Sequence, residues 1–116
     1  MILQTNLPHV SSEQEFNDLL SEKKNLMVCC GRMGPMCVPV YAAMGELRHE
    51  YEDVEFRDMA FDAPFAHVIR NLPEARGFMG LPFTVYFKDG KVEAATSSIQ
   101  SKGQIAQILD KVYRGK

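Results

Sequence analysis

The chain has 116 residues, of which 46% are hydrophobic and 24% are charged, so it suits one folded domain over residues 1–116 and excludes a disordered or fibrous chain. Its 13 lysines and arginines against 15 acidic residues give a net charge of -2, which disfavours nucleic-acid binding. No apolar run approaches the roughly 20 residues of a membrane helix, and no basic start followed by an apolar stretch indicates a signal peptide. We therefore expect a cytoplasmic monomer with neither nucleic-acid nor membrane partners.

The first half of the chain predicts alternating strands and helices. Leu7–Val10 reads as a short strand, and Ser12 starts a helix with the Ser-x-x-Glu pattern of a capping box. The continuous apolar run Leu26–Cys30 is typical of a strand covered on both faces. A long helix then begins at Pro35 and should be kinked at Pro39, which has no backbone donor. The residues at helical spacing on its apolar face are Met36, Val40, Met44, Leu47 and Tyr51.

The second half ends in a hairpin and a helix. Asp89-Gly90 is a strong hairpin signal between two apolar runs, and Ser101 caps the last helix. The predicted order is β-α-β-α-β-α-β-β-α, in which strands joined through helices pair in parallel. This order indicates an α/β fold of three layers, a mixed central β-sheet flanked by helices. The remaining predicted elements are the strand Val54–Met59, a short helix from Asp62 to about Asn71, and the strands Phe83–Phe87 and Lys91–Thr96.

Three clustered cysteines are the main chemical feature. Cys29, Cys30 and Cys37 lie within nine residues, a placement that favours redox chemistry or metal binding over a structural disulfide framework. Adjacent residues of a strand point to opposite faces, so Cys29 is expected to be a core thiol and Cys30 a candidate partner for Cys37. A disulfide would require their Cα atoms to come within about 7 Å. Two alternatives stay open: three inert buried thiols, or a Cu(I) site formed by the soft ligands Met33, Met36 and Cys37.

The histidines carry no metal-binding pattern. His9, His49 and His67 are isolated in the sequence and show no His-x-x-x-His spacing. We expect each of them to face solvent in a polar role, and we expect no cofactor.

One segment resembles the thioredoxin family. The run from Gly80 to Val92, Gly-Leu-Pro-Phe-Thr-Val-Tyr-Phe-Lys-Asp-Gly-Lys-Val, is similar to that family's Gly-apolar-cis-Pro-Thr segment, its following strand and its Phe-Lys-Asn/Asp-Gly turn. Gly34-Pro35 follows a buried strand, where the family keeps its Cys-Gly-Pro-Cys motif. The similarity covers about residues 7–114 and implies a thioredoxin-like fold.

The chain departs from that family at the active-site positions. Aligned on Gly34-Pro35, the two catalytic cysteines are replaced by Met33 and Met36, and the family's buried carboxylate by Met27. The resemblance therefore implies weak ordinary thioredoxin activity. Our first hypothesis is a thiol–disulfide oxidoreductase with a displaced pair, in which Cys30 is the more exposed attacking thiol and Cys37 the resolving thiol.

A second hypothesis needs no cysteine. The resemblance implies a cis peptide bond before Pro82, which leaves the backbone of Leu81 open to pair with an extended polypeptide. Met33, Met36, Leu81 and Pro82 would then form an apolar peptide-binding patch in a redox-inactive module, such as an assembly factor or chaperone. The expected partner is a protein or peptide with a disulfide under the first hypothesis and an extended polypeptide under the second.

Overall fold

A computed structural model describes residues 2–77 and 80–115. One four-stranded sheet forms the centre of the fold, and helices cover both of its faces. No helix in these described ranges is long and apolar enough to cross a membrane. The helices and strands, in chain order, are α1 (Glu13–Glu22), β1 (Asn25–Gly31), α2 (Val38–Leu47), β2 (Glu55–Ala60), α3 (His67–Arg70), β3 (Phe83–Lys88), β4 (Lys91–Ser97) and α4 (Lys102–Tyr113).

The sheet has the order β2-β1-β3-β4 and is mixed, as predicted. β1 and β2 are parallel because α2 connects them, whereas β1–β3 and β3–β4 are antiparallel. The β3–β4 connection is the predicted two-residue turn. Asp89 and Gly90 both have positive φ, 52° and 79°, which is the geometry of a type I′ turn and explains the preference for this dipeptide.

Buried side chains form one cluster on each face of the sheet, between the sheet and the helices that cover it. On one face of the sheet, α2 and α4 cover a cluster that includes Met27, Cys29 and Cys37, called here the α2/α4 face. On the other face, α1 and α3 cover a cluster that includes Val28 and Cys30, called here the α1/α3 face. β1 is central and buried along six of its seven residues, as its unbroken apolar sequence predicts.

The predicted first strand is wrong. Leu7–Val10 makes only an isolated parallel bridge, between His9 and Asp58. Two backbone hydrogen bonds form it, from Val10 N–H to Asp58 O at 2.8 Å and from Asp58 N–H to Pro8 O at 3.0 Å. Pro8 has no N–H to donate, which limits how far a ladder can extend through this segment. The segment nonetheless lies along the edge of β2.

The predicted single helix from Pro35 is also wrong in its first turn. Residues 34–37 form a turn in which Gly34 O accepts from the N–H groups of Cys37 and Val38, and α2 begins at Val38. Pro39, expected to kink a helix interior, stands in the first turn of α2, where its missing donor costs little. Met36 is therefore not on the buried face, and it is 44% exposed.

Both predicted helix caps are present at Ser12 and Ser101. Ser101 forms a complete capping box with Gln104. Ser12 accepts from the Glu15 N–H at 3.0 Å, but the Glu15 carboxylate accepts from Ser11 instead of closing the box on Ser12. Both helices thus start where these side chains satisfy otherwise free backbone donors.

Candidate active site

Cys37 lies at the point where the turn after β1 meets the start of α2. It is the N-cap residue of α2, and its sulfur accepts a weak hydrogen bond from the Arg32 N–H at 3.5 Å. The residue is only 3% exposed, so the surrounding groups determine what can reach it.

Gly31 provides the space that the Cys37 sulfur occupies. A Cβ atom placed on Gly31 would lie 2.9 Å from Cys37 Sγ, 2.6 Å from the Tyr41 hydroxyl oxygen and 3.1 Å from Pro82 Cβ. Contacts below 3.0 Å are not tolerated without a shift of the neighbours. The absence of a side chain at Gly31 therefore lets Cys37, Tyr41 and Pro82 converge at the end of β1.

Tyr41 connects α2 to this point. Its hydroxyl donates to the Arg32 carbonyl at 3.0 Å and lies within hydrogen-bonding reach of the Cys37 thiol. Burial raises the pKa of Tyr41 well above its ordinary value, and the nearby Cys29 and Cys37 sulfurs act in the same direction. Tyr41 thus stays protonated, with its one hydrogen donated to the Arg32 carbonyl and its oxygen beside Cys37.

An ion pair between Arg32 and Asp62 holds one end of the turn that carries Met33 and Met36. The Arg32 guanidinium donates to both Asp62 oxygens, at 2.8 and 2.9 Å, and lies over the Phe61 ring. The same pairing lowers the pKa of Asp62. Because both partners are largely exposed, water and salt screen this attachment. Met33 and Met36 are 47% and 44% exposed, so both thioethers face solvent.

Pro82 forms the opposite wall of the site. The Leu81–Pro82 bond is cis, the isomer that the family resemblance implied. Ser98, on the loop after β4, donates its N–H to the carbonyls of Gly80 and Pro82, at 3.1 and 3.0 Å. Leu81 is half-buried, and neither its N–H nor its carbonyl has a backbone partner within residues 2–77 and 80–115.

The two cysteines of β1 point to opposite faces, as the strand alternation predicts. Cys29 is a core thiol on the α2/α4 face, where Thr84 Oγ1 donates to its sulfur at 3.5 Å. Cys30 lies on the α1/α3 face and is 0% exposed. The expectation that Cys30 is the more exposed thiol is wrong, because α1, α3 and the segment between β2 and α3 cover that face.

Burial also governs the chemistry of these two thiols. It raises the pKa of Cys30 to about 12 and that of Cys29 further, so both are protonated at neutral pH. All three cysteines are free thiols in the structure. The pairing of Cys30 with Cys37 stays a prediction, and the two side chains belong to different clusters on opposite faces of the sheet.

A buried carboxylate lies across from Cys29. Asp58 on β2 is opposite Cys29 in the parallel β1–β2 register and is 0% exposed, the one buried charged residue in the described ranges. Thr5 donates its hydroxyl to Asp58 Oδ2, and His9 Nδ1 lies 2.6 Å from Oδ1. Burial raises the pKa of Asp58, and the hydrogen bonds from Thr5 and His9 oppose that shift.

Sequence reasoning missed the roles of Gly31, Tyr41, Asp58 and His9. His9 was expected to be isolated and solvent-facing, whereas it pairs with Asp58 and its side chain is only 23% exposed. Asp58 shares its strand parity with the apolar residues Val54 and Phe56, so alternation places it on the buried face, whereas a carboxylate ordinarily prefers solvent. Thr5 and His9 from the N-terminal segment supply the hydrogen bonds of the buried carboxylate, and no pattern near Asp58 in the sequence predicts these partners.

Comparison with solved structures identifies the architecture. Thioredoxin O2 from Arabidopsis thaliana in its oxidized state has 18% identity and a TM-score of 0.74, covering 97% of this chain and 99% of that chain. Thioredoxin f2 from Chlamydomonas reinhardtii has 13% identity and a TM-score of 0.77, covering 96% and 100%. Mitochondrial thioredoxin 3 from Saccharomyces cerevisiae, in its oxidized form, has 18% identity and a TM-score of 0.75, covering 91% and 95%.

These likenesses establish the thioredoxin fold over nearly the whole chain. No protein-family profile and no curated protein sequence matches it. The chemistry must therefore be argued from the site itself.

Proposed function

We propose that this thioredoxin-fold chain is a thiol–disulfide redox protein whose reactive group is the Cys37 thiol. The observation that carries the proposal is the convergence of Cys37 with Pro82 over Gly31. The Cys37 sulfur lies at the start of α2 and accepts the Arg32 N–H, which holds it at the point where the turn, α2 and Pro82 meet.

The substrate class follows from the wall opposite Cys37. An extended polypeptide could pair with the N–H and carbonyl of Leu81, which have no backbone partner among the described residues, as a strand added beside the site. A disulfide in that polypeptide would then lie close to Cys37. The Cys37 thiolate would attack one of its sulfurs, form a mixed disulfide and release the other sulfur as a thiolate.

Met33 and Met36 limit this activity. They stand where the thioredoxin family has its two cysteines, and a thioether neither ionises nor forms a disulfide. In an insulin-reduction assay we expect the protein to reach roughly one tenth or less of the rate of a standard thioredoxin. The double substitution Met33→Cys with Met36→Cys should raise that rate, because Gly34-Pro35 and Pro82 are already in place.

The decisive experiment measures thiol release from a small disulfide reagent by the folded protein. We expect Cys37→Ser to abolish the first release, and the matched Cys30→Ser variant to leave it unchanged. Equal release by the unsubstituted protein and Cys37→Ser would overturn the proposal. Insulin reduction at the rate of a standard thioredoxin would contradict the limit ascribed to Met33 and Met36.

A second candidate function is a redox-inactive module that binds an extended polypeptide. The solvent-facing Met33 and Met36 and the half-buried Leu81 favour it, because all three are apolar and the Leu81 backbone has no backbone partner among the described residues. Binding of a cysteine-free extended polypeptide, unchanged by Cys37→Ser and weakened by Leu81→Asp, would support this function. No binding of such a polypeptide would exclude it.

A further inference from the structure

We infer that Cys29, not Cys30, is the resolving thiol for Cys37, with Asp58 accepting the Cys29 proton. The inference rests on the proposed role of Cys37 and adds the second half of the reaction. It assigns an intramolecular Cys29–Cys37 disulfide as the oxidised form of the protein.

The first argument is the face of β1 on which each thiol lies. Side chains alternate along a strand, so Cys29 and Gly31 share a face and Cys30 points the other way. Cys37 Sγ occupies the side-chain space of Gly31, 2.9 Å from where its Cβ would be. The Cys37 sulfur is therefore on the Cys29 face, displaced along it by two residues, or about 7 Å of strand.

The second argument is what separates the thiols. Cys29 and Cys37 belong to one buried cluster, and the Tyr41 hydroxyl is close enough to interact electrostatically with both of them. A Cys29–Cys37 bond would join two side chains of the same buried cluster on one face of the sheet. A Cys30–Cys37 bond would instead require one thiol to pass from one face of the central strand to the other.

The third argument is the route for the proton. Resolution requires the buried Cys29 to lose a proton before it attacks. Asp58 is its neighbour on β2 in the parallel register, and His9, 2.6 Å from Asp58 Oδ1, extends from there to the surface. The other polar or titratable groups that face Asp58 are Thr5 from the N-terminal segment and Tyr41 from α2.

The reaction balances in two steps. The Cys37 thiolate attacks a disulfide, forms a mixed disulfide and releases one thiolate. Cys29 then gives its proton to Asp58 and attacks Cys37 Sγ, which releases the second thiolate and leaves the Cys29–Cys37 bond. The protein dithiol is oxidised by two electrons, and the external disulfide is reduced to two thiols.

Dithiobis(nitrobenzoate), an aromatic disulfide that releases a coloured thiolate at each step, tests the inference on the native full-length chain. We expect two thiolates per chain and no retained aryl group from the unsubstituted protein and from the matched control Cys30→Ser. Cys29→Ser should release one and keep the aryl group on Cys37, whereas Cys37→Ser should release none. Asp58→Asn should leave the first release unchanged and slow the second by about tenfold or more.

The outcomes separate the two proposals. If Cys30→Ser keeps the aryl group and Cys29→Ser does not, Cys30 is the partner and the inference is overturned. If the unsubstituted protein keeps the aryl group, Cys37 has no internal partner, which overturns the inference and leaves the function of Cys37 intact. Reaction of Cys37→Ser at the unsubstituted rate would refute the proposed function itself.

The inference does not depend on the stability of one variant. Cys29→Ala replaces the buried thiol without adding a hydroxyl, and its fold can be checked by circular dichroism. In the oxidised unsubstituted protein, tryptic cleavage after Arg32 separates Cys29 and Cys30 from Cys37. Fragmentation of the disulfide-linked pair then locates the bond, and a bond to Cys30 would contradict the assignment.

Discussion

Gly31→Ala is the most direct perturbation of the candidate site. The added methyl would lie 2.6 Å from the Tyr41 hydroxyl oxygen, 2.9 Å from Cys37 Sγ and 3.1 Å from Pro82 Cβ. None of the three neighbours can turn away cheaply. The Tyr41 hydroxyl is hydrogen-bonded to Arg32, the Cys37 sulfur is buried and accepts the Arg32 N–H, and Pro82 leads directly into β3.

The expected magnitude follows from these contacts. Overpacking a close-packed region by one methyl costs about 1–3 kcal/mol, and three simultaneous contacts place Gly31→Ala in the upper half of that range. The displaced start of α2 should also expose the Cys37 sulfur. We therefore expect a lower free energy of unfolding together with faster alkylation of Cys37.

Urea unfolding followed by circular dichroism measures the first effect, and intact mass after alkylation measures the second. Gly45→Ala is the matched control, because Gly45 lies within α2 and a Cβ there meets nothing within 4 Å. It should stabilise the protein by about 0.5–1 kcal/mol through helix propensity alone. A free energy of unfolding for Gly31→Ala within about 0.5 kcal/mol of the unsubstituted value, with unchanged alkylation, would refute the reasoning.

Three further changes test other parts of the site. Tyr41→Phe removes the hydroxyl that lies beside Cys37 and donates to the Arg32 carbonyl. It should change the Cys37 alkylation rate by a few-fold while the fold by circular dichroism is kept; an identical rate would show that the hydroxyl does not act on the thiol. Asp62→Asn removes the ion pair with Arg32 and should speed the alkylation of Cys37 severalfold at low salt. The effect should be smaller at high salt, because salt already screens the exposed pair. An effect that does not depend on salt would contradict this prediction. Burial raises the pKa of Asp58, so the folded protein holds the Asp58 proton more tightly than the unfolded chain does. The free energy of unfolding, measured relative to Asp58→Asn, should therefore increase as the pH falls from about 7 toward about 4. A decrease would be inconsistent with the raised pKa.

Local patterns predicted most of the fold. The apolar run of β1, the Asp89-Gly90 turn and the Ser101 cap each depend on interactions within a few residues, and each is present as expected. Pro39 shows the limit of this reasoning, because the same missing N–H predicts either a kink or a first-turn position. The turn over residues 34–37 places the start of α2 at Val38, so Pro39 stands in the first turn of the helix and not in its interior.

The tertiary structure decided which thiol can react with which. Strand alternation by itself requires Cys29 and Cys30 to face opposite ways, but it does not say which face receives α2 and Cys37. Because α2 packs over Gly31, Cys37 lies on the same face of the sheet as Cys29. The helices α1 and α3 cover the other face and bury Cys30. The environment of Asp58 likewise comes from the N-terminal segment about 50 residues away, because burial is a property of the whole fold, whereas periodicity reports only on neighbours along the chain.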